Sequence, residues 1–310
     1  MTASQTPARR RRRRAQSRAG VWLVLPALLV VGGFYLFPAA FNIFLSLRDV
    51  TIFNMASAGS GWAGLDNFVT LFTAKNIWHI LWNTTFWLTA VTVVIRMAVG
   101  LGLALVLNSA IMRIRGIGAL SRSLLVLPWT VPPVAAILVW QFLLQPRYGG
   151  VNQLLEMTGL VPPGGIAWFQ QVETVWAAVN TIIVWRELPL IVLMFIAGLQ
   201  TIDPEIYEAA RVDGAGFWRQ LFQITLPLIQ PVTAVTALLT IIQTYNNFVY
   251  VWVSTRGGPG DATQVLGTTI YKQGFVEYDI GLSSATAVVG IAIMAVFAVL
   301  YFLRTMRVED

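Results

Sequence analysis

The sequence predicts an all-α polytopic membrane protein that crosses the bilayer six times. Three observations carry that reading. Hydrophobic residues make up 56% of the 310 and charged residues only 11%, against roughly 25% charged in soluble domains. Six apolar segments each come close to the roughly 20 residues that a helix needs to cross a hydrocarbon core. Basic residues are divided unevenly between the connecting segments, as membrane insertion favours.

Residues 1–20 form a basic tail without apolar periodicity, expected to be disordered and cytoplasmic. Arg9 to Arg14 and Arg18 stand directly before a long apolar segment. A role in setting topology and binding anionic lipid suits them better than nucleic-acid binding. Val21 to Leu47 is uncharged over 27 residues, too long for a signal-peptide core of about 7–15, and is the first expected span. The transmembrane domain therefore occupies 21–310, with spans at about 21–47, 84–107, 124–144, 175–199, 231–253 and 281–303. The third contains Pro128, Pro132 and Pro133. It must kink or break, and neighbouring helices must satisfy the freed carbonyls.

Six spans put both termini on one side. Fourteen basic residues then lie on the side of the termini and five on the other, with Arg96 and Arg186 inside spans. This bias predicts cytoplasmic termini and a cytoplasmic 200–230 loop.

That loop is a polar, helix-forming island between two long apolar segments. Asp203 before Pro204 is a helix N-cap signal, and a short helix is expected through Tyr207, Ala209 and Ala210. Gly214 suits its left-handed end. A second short helix is expected from about Gly216, carrying Phe217, Trp218, Leu221 and Phe222. It is expected to end at Leu226 and Pro227, since proline lacks the donor that a helix interior uses.

The composition also excludes several chemistries. There is no cysteine and a single histidine, His79, which removes disulfides, cysteine-ligated metals and multi-histidine metal sites. A P-loop needs Gly-Lys followed by Ser or Thr. The only lysines are Lys75, after Ala74, and Lys272, after Tyr271. The chain has no ATPase site of its own, and nothing in it suggests a bound cofactor.

The fifth expected span carries Thr233, Thr236, Thr240, Gln243, Asn247 and Tyr250 at steps of three and four. On one continuous helix those steps share a face about 26 Å long at roughly 1.5 Å per residue. An uncharged stripe of this kind suits an uncharged polyhydroxyl solute, with Thr240, Gln243, Asn247 and Tyr250 as pathway candidates. Interhelical packing uses the same residue types. Glu187 joins the candidates because a carboxylate within a span is costly and normally faces the bundle or a wet cavity. Arg96 is its possible interhelical partner. Arg186 and Glu187, being adjacent on a helix, point about 100° apart and need not pair.

Within the loop, Glu208-Ala209-Ala210, then Gly214, Ile224 and Leu226-Pro227 have the spacing of a motif. They resemble the EAA motif of the membrane subunits of bacterial ABC importers. Gly198-Leu199-Gln200, Ile202, Pro204, Tyr207 and Asp213-Gly214-Ala215 are similar to the carbohydrate-uptake permeases of the maltose-permease F and glycerol-3-phosphate-permease A type. So are Leu25-Pro26, Phe37-Pro38, Trp62 to Phe68, Tyr148-Gly149, Val151-Asn152 and Thr255 to Pro259. The resemblance implies a type I importer permease fold whose 200–230 loop couples to a separate ATPase through Glu208, Ala209, Ala210, Asp213, Gly214, Ile224, Leu226 and Pro227. It also implies a second homologous permease subunit, two ATPase subunits that hold ATP and Mg, and an extracytoplasmic solute-binding protein. The alternative from another class is a stand-alone secondary transporter or channel for a small polar solute.

Overall fold

The structure, a computed structural model, describes residues 24–54, 61–109 and 117–306. The basic tail, Arg113, Arg115 and Arg307 lie outside the described residues. Among the described residues the chain is helical, with two isolated antiparallel bridges as its only β pairing. Four helices are long and apolar enough to cross a membrane, or six if each of two bent pairs counts as one span.

The chain divides into two compact units, one made of residues 1–72 and 273–288 and the other of 73–272 and 289–310. In the first, helix α1 (Val24–Ser46) keeps none of its most apolar stretch buried, as lipid-facing surface permits. The short helix α2 (Asp66–Thr73) follows a loop closed by the Arg48–Trp62 bridge. Asn67 fixes that loop: its Nδ2 donates to the carbonyls of Ser46 and Arg48, both at 2.9 Å. Gly281, at the start of the last helix, donates to Val50 O at 2.9 Å.

The second unit is built on α3 (Ile77–Leu107) and α7 (Val172–Leu199). Helix α3 begins seven residues before the expected span and contains a π-helical stretch, Asn83–Val91. Its Gly100 lets α7 approach closely, since a Cβ there would lie 2.7 Å from Ile191 Cγ2. Small residues at membrane helix contacts serve this purpose. Two apolar clusters use α7. One centres on Val175, Val179, Ile182 and Ile183, the other on Ile191, Val192, Phe195 and Ile196. Arg186 and Glu187 fall in the gap between them.

The third expected span is broken as its prolines require. Helices α4 (Ile117–Thr130) and α5 (Pro133–Leu143) meet at Val131–Pro132 with a bend of 100°. After α5 come the short α6 (Gly150–Met157) and a loop stapled by Asn152, which is fully buried. Its Nδ2 donates to the carbonyls of Gln145 (3.0 Å) and Ile166 (3.1 Å), and its Oδ1 accepts from Ile166 N–H (3.1 Å) and Trp168 Nε1 (3.0 Å). A buried polar group left unpaired costs about 1–3 kcal/mol, so Asn152→Ala should open this loop. Hydrogen exchange across 145–168 is expected to accelerate while α3 and α7 stay protected. Unchanged exchange in the loop would show that Asn152 does not hold it.

The 200–230 segment folds as α8 (Pro204–Val212) and α9 (Phe217–Leu228). Helix α9 runs through Pro227 instead of ending at it, because a π-helical turn, Leu221–Thr225, precedes the proline. A bend of 72° then leads into α10 (Gln230–Tyr245). The expected fifth span does not continue as one helix to residue 253. It breaks at Asn246–Asn247 and resumes as α11 (Phe248–Thr255). Consecutive asparagines favour turns because their side chains compete for backbone groups. Helix α12 (Leu266–Tyr271) precedes the final helix α13 (Ile280–Met306).

Candidate functional site

The prolines of the α4–α5 break create the first part of a polar centre. Pro133 has no N–H, so the carbonyl of Trp129 lacks its helical donor. Arg186, reaching from α7, donates to it at 3.4 Å and to Val131 O at 2.8 Å. The same guanidinium also contacts the carboxylate of Glu187 and Tyr250 Oη, the latter at 3.3 Å. The two adjacent residues do pair, which their angular separation did not require. The long arginine stem turns its head toward its neighbour despite the angle between their Cβ directions.

Glu187 collects the centre. Tyr250 Oη donates to its Oε1 at 2.8 Å, and Arg96 Nη2 lies 4.0 Å from its Oε2. The expected Arg96–Glu187 pair is thus present at the outer limit of an ion pair. Arg96 is 1% exposed and donates to Thr244 Oγ1 at 3.0 Å and to the backbone carbonyl of Glu187 at 3.4 Å. Beside this cluster lies a cavity of about 290 Å³. Its walls are Arg96, Glu187, Gln243, Thr244, Asn246, Asn247 and Tyr250, with Trp129, Pro133, Leu190 and Val249.

Four of the five pathway candidates therefore meet in one place: Glu187, Gln243, Asn247 and Tyr250. Thr240 does not. It is buried and donates back to Thr236 O at 2.7 Å, while Thr236 donates to Val232 O at 2.7 Å. The six residues do not lie on one continuous helix, because the helix breaks at Asn246–Asn247. Nor is the cavity uncharged, since α3 and α7 add Arg96 and Glu187. Thr244 and Asn246 are the residues that sequence reasoning missed. The Asn246-Asn247 pair, a turn signal inside an apolar run, was the clue to both.

A second polar feature is the α8–α9 hairpin. Asp203 caps α8, its carboxylate accepting from Glu205 N–H at 3.0 Å. At the other end Gly214 has φ +74°, Gly214 N–H bonds Arg211 O at 3.1 Å, and Ala215 N–H bonds Ala210 O at 2.9 Å. Those two bonds make a Schellman motif, which glycine closes without strain. Gln220 Nε2 donates to Ala215 O at 2.6 Å, and the Tyr207 and Thr225 hydroxyls meet at 3.0 Å, so the two helices are tied together.

Of the motif residues, Ala210 is buried, and Ile224 and Leu226 are partly covered. Glu208, Ala209, Asp213, Gly214 and Pro227 are exposed. Glu208 has only Arg211, 4.0 Å away, as an ionic neighbour among the described residues. The hairpin also exposes Val212, Phe217, Trp218 and Phe222, with Trp218 and Phe222 stacked at 6.0 Å.

Broken spans around a polar cavity define a membrane transport protein, since irregular backbone at membrane depth is tolerated where it lines a cavity or is buried in protein. Residues 98–308 match the family of binding-protein-dependent transport system inner membrane components, and the chain belongs to that family. It is 32% identical over 306 residues to the diacetylchitobiose uptake system permease protein DasB of Streptomyces coelicolor, covering 96% of this chain and 91% of DasB. It is 34% identical over 291 residues to the sulfoquinovosyl glycerol transport system permease protein SmoG of Agrobacterium fabrum, covering 94% and 91%. Its fold matches a chain of the crystal structure of a bacterial ABC transporter involved in the import of the acidic polysaccharide alginate. That match has a TM-score of 0.78 at 24% identity, over 96% of this chain and 100% of the other.

Proposed function

We propose that this chain is the permease subunit of an ATP-driven ABC importer, carrying a sugar or related polyhydroxyl solute inward by alternating access. An extracytoplasmic binding protein delivers the solute. A second, homologous permease completes the pathway, and two ATPase subunits, which hold ATP and Mg, dock on the α8–α9 hairpins. Both termini and the hairpin face the cytoplasm. The observation that carries this reading is the hairpin itself. Its motif alanine Ala210 is packed inward, while Glu208, Gly214 and a stacked aromatic pair are exposed on one segment. The relatives named for sugar uptake support the solute class.

Reconstitution in lipid vesicles tests it. With partner subunits and binding protein, uptake should require ATP, and the purified chain alone should hydrolyse none. Uptake by the chain alone, driven by an ion gradient, would instead establish the stand-alone transporter. Within the complex, Gln243→Ala and Asn247→Ala should each lower uptake by about tenfold, the worth of one lost polar contact of about 1.4 kcal/mol. Assembly and basal ATPase turnover should stay intact. Wild-type uptake in both variants would remove the cavity from the pathway.

A further inference from the structure

The charged cluster beside the cavity is not electrically balanced. Two arginines, Arg96, which lines the cavity, and Arg186, which does not, share a single carboxylate, Glu187, and no other carboxylate lines the cavity. The carboxylate is taken up chiefly by Arg186 and by Tyr250 Oη at 2.8 Å. Arg96 remains 4.0 Å from it, is 1% exposed, and its Nε is buried without a hydrogen-bond partner. Thr244 and a backbone carbonyl, both neutral, are its nearer acceptors. A guanidinium held in this way at membrane depth is costly, because few water dipoles remain to screen it. It is also a prepared partner for an oxyanion, which would form charge-assisted hydrogen bonds there.

We infer that this cavity selects a polyhydroxyl solute carrying one negative charge, with Arg96 as the specificity-determining residue. This inference rests on the permease reading above and deepens it. Gln243, Asn246 and Asn247 offer amide groups for hydroxyls, and Trp129, 45% exposed, offers a ring against which a sugar ring could pack. The excess positive charge of the cluster changes the expected solute from neutral to acidic. An uncharged sugar leaves the net charge of +1 from the three side chains uncompensated, whereas a monoanion cancels it.

The test uses the purified complex with its partner permease and ATPase subunits, and glucuronate, glucose 6-sulfate and glucose as probes in calorimetric titration. In the wild type, at least one of the two acids should bind about tenfold more tightly than glucose, as one charge-assisted contact implies. Which acid binds better identifies the oxyanion, carboxylate or sulfate. Arg96→Gln, which keeps a donor for Thr244 but removes the charge, should abolish the preference. Glu187→Gln, which raises the cluster's charge, should increase it.

Equal or tighter binding of glucose by the wild type overturns the inference and leaves the neutral-sugar permease standing. An acid preference that neither variant moves also overturns it, by locating the selectivity elsewhere. Failure of all three probes to bind overturns it and removes the cavity as a sugar site, while ATP-driven uptake still decides the importer reading. The wild-type comparison needs no variant, so a variant that fails to assemble leaves the inference falsifiable.

Discussion

Gly214→Asp is expected to uncouple the transporter while its transmembrane domain stays folded. The glycine has φ +74°, and a Cβ built on it meets nothing within 4 Å. The substitution therefore causes no clash, and its local cost is the left-handed backbone alone, about 1–2 kcal/mol. The carboxylate would stand at the proposed ATPase interface, where an unpaired buried charge costs about 3–5 kcal/mol. Together these exceed a typical coupling energy of about 1–3 kcal/mol. Gly214→Ala separates the two contributions, since it has the same backbone strain and no charge, and should retain most of the coupling. Glu208→Ala should weaken coupling without altering stability. Its pairing with Arg211 is a surface contact between side chains 68% and 65% exposed, and such pairs contribute about 0–1 kcal/mol. Copurified ATPase, turnover stimulated by loaded binding protein and solute uptake report on docking and coupling. Wild-type values of all three for Gly214→Asp would show that the hairpin is not the coupling element.

The hairpin was legible because its signals are local. The Asp203-Pro204 start, the helix that follows and the Gly214 stop each depend on residues within one or two turns. The break in the third span was legible for the same reason, since Pro132 and Pro133 both lack a donor and Pro133 disfavours a helical conformation at Pro132. The polar centre was only half legible. Single-helix periodicity found Gln243, Asn247 and Tyr250 but treated α10 and α11 as one rod, and it could not show that the Thr240 hydroxyl is taken up by Thr236 O. What brings Arg96 to Thr244 and Arg186 to Trp129 O is the packing of α3 and α7 against the broken helices. Those contacts join residues 148 and 57 positions apart, and no local pattern encodes them. The charge balance of the cavity follows from that packing, which is why the uncharged stripe pointed to a neutral solute.

Glu187→Leu should be the most destabilising change at the polar centre, and Arg96→Met should be far milder. The carboxylate is the sole acid among three charged side chains that are 1%, 14% and 16% exposed. Removing it leaves two arginines facing each other without a counter-charge, and breaking a buried pair from one side costs about 3–5 kcal/mol. Removing Arg96 instead leaves Glu187 with Arg186 and Tyr250, and methionine is an apolar replacement of similar length. Because Arg186 still pairs with Glu187, no buried charge is left without a counter-charge, and the penalty for breaking a pair from one side does not arise. The double variant should recover much of the loss from Glu187→Leu, because Arg186 retains the carbonyls of Val131 and Trp129 as acceptors. The cycle of single and double variants then isolates the coupling between α3 and α7. Thermal unfolding of the complex in detergent reads it directly. A Glu187→Leu variant as stable as wild type, or a double variant no better than Glu187→Leu alone, would show that the three charges do not act as one unit.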